Sequence, residues 1–118
     1  MQKIIKVQEA TNLQLDWLVA KCEGINMEDI NTAEGYVDTF CYGFYSPTTD
    51  WSQGGPIIER EELSVERRMP CMKNEQWGAH GGRAMQNFHK GPTPLIAAMR
   101  CFVASKLGET AKVPEELL

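Results

Sequence analysis

No two cysteines in this chain have the close spacing of a redox motif or a zinc knuckle. Cys22, Cys41, Cys71 and Cys101 stand far apart, and His80 and His89, nine positions from each other, match neither HxxxH nor HExxH. No apolar run approaches the ~20 residues that cross a bilayer. The start, Met1-Gln2-Lys3-Ile4-Ile5-Lys6-Val7, has a lysine inside its short apolar stretch and no small-residue cleavage site, so it makes a poor signal peptide. Four reduced thiols packed as small apolar groups are therefore expected. A Gly-x-Ser-x-Gly elbow, a P-loop and a dinucleotide fingerprint are also missing, as are repeats and low-complexity stretches. Nucleophilic catalysis, a metal site and a cofactor are not expected. Asp50 with Glu59 is the one carboxylate pair worth naming for acid–base work, and two acids near a turn are common.

What is present fits one globular domain over residues 1–118. The 118 residues are 42% hydrophobic and 24% charged, ordinary values that argue against wholesale disorder. The net charge of −4 is unevenly spread: residues 25–66 hold nine acids and one base, whereas residues 67–112 hold eight bases and two acids. Either the two halves lie side by side and neutralise each other, or the basic half offers cations to an anionic ligand. Duplex nucleic acid is disfavoured as a partner because it needs an uncompensated basic face.

The pattern predicts a short strand over Lys3–Val7, then a helix capped by Thr11 or Asn12 and stopped at Gly24, with Leu15, Leu18, Val19 and Cys22 on one stripe. Residues 25–35 read as a variable loop with room for one helical turn. Tyr36–Tyr45 alternates as an aromatic-rich strand, apolar on both faces towards its end, which suggests a central place in a sheet. Thr48 or Thr49 caps a short helix whose first turn holds Asp50, and Gly54-Gly55-Pro56 breaks or redirects the chain. Residues 59–69 read as charged and partly helical, ended by Pro70. Cys71–Ala79, a Gly81-Gly82 turn and Arg83–Lys90 form a hairpin. Thr93 as N-cap with Pro94 at the first helical position opens a helix that stops at Gly108. That helix has almost no polar face, so burial against a sheet and a second copy of the chain is expected, hence a homo-oligomer. Residues 113–118 form an acidic tail whose apolar residues either dock or fray. The fold class is α+β, a small antiparallel sheet sandwiched by N-terminal and C-terminal helices.

Three stretches carry a family resemblance: Leu15–Gly24, Tyr45–Glu59 and Gly91–Ser105. Together they resemble the NinX-like small proteins of tailed phages and, more distantly, the phage domain described as an α-β-β-α sandwich with its Tyr-Ser-x-Asp turn. The resemblance spans residues 13 to about 114 and is not traced through residues 25–44 and 60–90. It implies phage or prophage origin and residence in the bacterial cytoplasm, and it implies no enzymatic activity.

Tyr45–Glu59 is the leading candidate site. It reads either as a loop folded over the sheet, with Trp51 as plug and Asp50 as cap, or as a binding loop. In the second reading Tyr45 and Trp51 stack a base, and Ser46, Thr49, Asp50 and Gln53 bond sugar hydroxyls or base edges. Gly54 and Gly55 bring backbone N–H groups to a phosphate. Arg100 either runs to the helix edge, pairs with Asp50 or Glu59, or reaches a ligand phosphate. Thr93 is a cap, at a helix end where anions are welcome. Trp77, Arg83, His89 and Lys90 are rim candidates. The function expected is a non-catalytic phage counter-defence binder that sequesters a small anionic, nucleotide-derived immune signal in pockets between subunits, with Trp51 and Arg100 meeting in a shared hollow. The alternative is an inhibitor or adaptor that binds a host protein through the Trp51 loop and the acidic middle, a reading that an exposed apolar patch would favour.

Overall fold

In the computed structural model, residues 1–40, 42–68, 75–81 and 88–118 are described. Cys41, Met69, Pro70, Cys71, Gly82 and Arg83 lie outside them, and with them the expected hairpin turn and the expected stop at Pro70. The chain runs β1 (Gln2–Lys6), α1 (Asn12–Cys22), β2 (Ile30–Asn31), β3 (Asp38–Thr39), β4 (Gly43–Phe44), α2 (Trp51–Arg60), β5 (Ser64–Arg67), β6 (Trp77–His80), β7 (Phe88–Gly91), α3 (Pro94–Leu107) and β8 (Thr110–Pro114). The class is α+β, and every strand pairing is antiparallel: β1 with β8, β2-β3-β4, and β5-β6-β7.

The two longest helices begin as their caps dictate. Thr11 Oγ1 accepts the Gln14 N–H while the Gln14 side chain accepts the Thr11 N–H, a reciprocal capping box. Thr93 Oγ1 accepts the Ile96 N–H ahead of Pro94, and Gly108 at φ +99° ends α3 where an L side chain would be strained.

α3 is the axis of the molecule. Leu95–Met99 and Cys101–Ala104 are all buried, packed by α1, the β5–β7 sheet, α2 and β8. The chain thus covers the apolar helix with its own elements, and the reason for expecting a second copy on it falls away. Along the sheet, Val65, Ala79 and His89 sit opposite one another. Gly91 closes the approach of β7 to α3, because a Cβ there would lie 2.7 Å from the Ala97 nitrogen. Cys22 and Cys101 are thiols pushed up to about 11 by burial, so they are protonated at neutral pH.

Three expectations need correction. Tyr36–Tyr45 is not one continuous central strand: among the described residues its strands are Asp38–Thr39 and Gly43–Phe44, which form a small hairpin beside β2. Gly43 sits at φ +67°, and the alternating aromatic side chains face outward. Gly54-Gly55-Pro56 does not break the chain but lies inside α2. Of the charged stretch from residue 59, the helix takes in only Glu59 and Arg60 among the described residues, and Ser64–Arg67 is a strand. Of the two courses open to the acidic tail it takes docking: Thr110–Pro114 pairs with β1, and Val113 and Leu117 are buried.

Candidate functional site

The segment nominated from the sequence is built mainly from bonds to itself. The Ser46 carbonyl accepts the Thr49 and Asp50 N–H groups, which makes the turn that leads into α2. The Thr49 hydroxyl points at the same carbonyl, 3.5 Å away. Asp50, not Thr48 or Thr49, is the N-cap: its carboxylate accepts the Ser52 N–H at 2.9 Å and the Ser52 hydroxyl at 2.6 Å. Gln53 accepts the Ser46 N–H at 2.6 Å and donates to the Phe44 carbonyl at 2.9 Å, tying the β3–β4 hairpin to α2. The Gly54 N–H is spent on the Asp50 carbonyl, so it is not presented to a phosphate as expected. A Cβ on Gly54 would lie 2.5 Å from the Pro47 carbonyl oxygen and 2.6 Å from a Leu95 methyl; this glycine exists for close packing. Gly55 is half-buried in the same helix.

Beneath the turn, Thr48 is buried and its N–H donates to Asp16 Oδ1 at 3.0 Å. Burial raises the Asp16 carboxyl to about 6, with the Thr48 bond opposing the shift. Tyr45 is also buried, and burial, then the nearby Glu23 carboxylate, raises its phenol well above the ordinary range.

The nominated residues divide among separate hollows. Tyr45 and Gln53 line one of about 280 Å³ with Glu23, Ile25, Tyr42, Ser52 and Pro56. Thr49 and Trp51 line another of about 200 Å³ with Thr48, Thr93, Pro94 and Leu95. Arg100 lines a third of about 510 Å³ with Gln8, Glu9, Glu75 and Pro92. Among the described residues, the hollows of Trp51 and Arg100 have no lining residue in common. Arg100 pairs with neither Asp50 nor Glu59; its Nη1 donates to the Lys90 carbonyl at 2.8 Å and its Nη2 to the Ala10 carbonyl at 3.1 Å. Among the described residues no carboxylate lies within 4.0 Å of it, and burial lowers its pKa. The guanidinium is a clamp on two backbone carbonyls.

Of the rim candidates, Trp77 packs against the core and His89 is buried with its Nε2 3.1 Å from Glu109. Lys90 holds Gln8 through its backbone. Among the described residues no three His, Cys, Asp or Glu side chains gather as a metal site, and no helix is long and apolar enough to cross a membrane.

The feature missed from the sequence is the β3–β4 hairpin itself. Phe40 is 88% exposed, Tyr42 66%, Phe44 62% and Tyr36 42%, with Trp51 at 56% on the following helix. Tyr36 and Phe44 meet edge to face at 4.7 Å, and Tyr42 leans over Tyr45 at 6.2 Å. Scattered exposed aromatics need no explanation, but four within nine residues do. Their alternation was legible; its direction was not. The acids that punctuate them, Glu34 and Asp38, were the available hint that this strand meets water.

No curated protein matches the sequence. The family model described as Bacteriophage P22, NinX matches residues 6–106, which take in α1, the aromatic hairpin, α2, the β5–β7 sheet and nearly all of α3. With that extent of match, the chain belongs to the NinX family of phage proteins.

Proposed function

We propose that this phage protein acts by binding rather than by catalysis, and that it docks a protein partner of the bacterial host, in the host cytoplasm, through the aromatic hairpin face. The observation that carries the reading is the set of four exposed aromatic side chains from Tyr36 to Phe44. Aromatic side chains are the groups that most often anchor protein interfaces, because each removes a large rigid area from water at small entropic cost. The hairpin has little else to do: β2, β3 and β4 are two residues long each and contribute few groups to the core. Inhibition or adaptation of a host factor follows from such docking.

Capture of a small nucleotide-type ligand, the counter-defence reading, has one observation in its favour. The 280 Å³ hollow beside Tyr42 and Tyr45 offers ring faces and the Ser52 and Gln53 side chains to a base. Its charged lining residue, Glu23, is already paired with Arg60, and among the lining residues described there is no cation for a phosphate. Neither reading needs a second copy of the chain.

The test is cross-linking of the purified protein in a bacterial host extract, comparing the wild type with Phe40→Ser/Phe44→Ser. The docking reading expects specific adducts that the double variant loses while its unfolding temperature stays the same. Identical adducts from both proteins would reject it. A thermal shift with an intact nucleotide, lost in Tyr42→Ala, would move the assignment to small-ligand capture.

A further inference from the structure

Resting on that docking reading, we infer that the segment seated on the aromatic face is arginine-rich and basic, the chemistry a protein uses to hold phosphate backbones. Between Lys21 and Arg60 the sequence has no lysine, arginine or histidine, yet Glu23, Glu28, Asp29, Glu34, Asp38, Asp50 and Glu59 all fall in this span. Among the described residues, several of the molecule's own cations are engaged elsewhere. Arg60 grips Glu23 through two bonds of 2.9 and 2.7 Å and meets Glu61 at 3.0 Å. Lys106 pairs with Glu61 at 3.1 Å, and Arg100 holds two carbonyls. Arg67 and Arg68 lie over the rings of Trp77 and Phe88. By contrast, among the described residues the carboxylates of Glu28, Glu34 and Asp38 have no cation within 4.0 Å.

Tyr36 and Phe44, in ring contact, lie beside two of the uncompensated acids, Glu34 and Asp38. Glu34 accepts the Tyr36 hydroxyl at 2.5 Å, which holds the ring against the acidic side of the hairpin and raises the phenol pKa. Asn31, Glu34, Tyr36 and Asp38 line a notch of about 70 Å³, room for the head of one side chain and not for a ring system. A guanidinium satisfies both features together, because its flat face stacks on an aromatic ring while its edge donates to carboxylates. An anionic segment would meet bare negative charge there. A second copy of this chain is disfavoured as occupant because, among the described residues, Arg60, Arg67, Arg68 and Arg100 already have partners.

The experiment uses fluorescence anisotropy with two labelled unstructured peptides of equal length and charge, one arginine-rich and one lysine-rich, at low and at moderate salt. The arginine peptide is expected to bind at least about fivefold tighter than the lysine peptide, since only arginine adds stacking to charge. Glu34→Gln/Asp38→Asn and Phe40→Ser/Phe44→Ser should each weaken it by about tenfold, and moderate salt should weaken it as well. The control Glu115→Gln/Glu116→Gln removes the same charge from the far tail and should change nothing. No binding, equal affinity for the two peptides, or an equal loss in the tail control overturns the inference, the last two because overall acidity then suffices. In the host extract, adducts lost by Phe40→Ser/Phe44→Ser but kept by Glu34→Gln/Asp38→Asn overturn the basic occupant while the docking face stands. Adducts indifferent to both variants overturn the docking face itself.

Discussion

Asp16 carries the clearest single-residue consequence. Its carboxyl is buried on α1 and held by the Thr48 N–H, and burial raises it to about 6, roughly two units above an unfolded aspartate. Below the unfolded value both states are protonated and the group costs nothing. Between there and pH 6 the unfolded chain releases the proton while the folded chain retains it, so stability falls as pH rises, by about 3 kcal/mol in all. Asp16→Asn keeps an oxygen for Thr48 and removes the charge. Thermal unfolding should find the variant close to wild type at pH 4 and more stable by several degrees at pH 7.5; parallel pH profiles would refute the buried charge. Arg100 is the opposite case, a cation whose removal leaves the Lys90 and Ala10 carbonyls short of a donor. Arg100→Met should cost about 2–4 kcal/mol in denaturant unfolding, and Arg100→Lys should recover little because one ammonium cannot span both carbonyls.

At the scale of elements, α2 shows how a turn-like sequence becomes a helix. Gly54-Gly55-Pro56 carries poor helix propensity, and Pro56 forgoes one backbone bond. The helix persists because Asp50 caps it, because Ile57 is buried, and because the bare Gly54 backbone fits against Pro47 and Leu95. Gly54→Ala, which improves propensity, should therefore destabilise the protein by about 1–3 kcal/mol, read as a lower denaturant midpoint. Gly55→Ala, whose Cβ would come no closer than 3.9 Å to the Trp51 ring, should be neutral or slightly stabilising. α1 and α3 were legible in the sequence down to their caps, since Thr11 with Gln14 and Thr93 with Pro94 act within one turn of chain. Tyr36–Tyr45 was legible as alternation but not as a hairpin, because a period of two looks the same whether the large side chains face a core or water.

For the molecule as a whole, burying α3 within one chain has a direct consequence. With that helix wrapped by α1, α2, the β5–β7 sheet and β8, sedimentation at micromolar concentration should give a monomer. Phe40→Ser/Phe44→Ser should leave both the mass and the unfolding temperature unchanged, since exposed rings contribute little to the core. The sequence by itself determined the α+β class, the family, the two capped helices and the sorting of charge along the chain. These depend on neighbours in sequence, on composition, or on motifs of fixed spacing. The tertiary structure alone decided that Arg100 points at carbonyls and that Trp51 and Arg100 line different hollows. It also decided that Gly54 is a packing residue and that the aromatic hairpin turns outward. Each of these depends on which distant segment fills the space next to a side chain, and no local pattern encodes that.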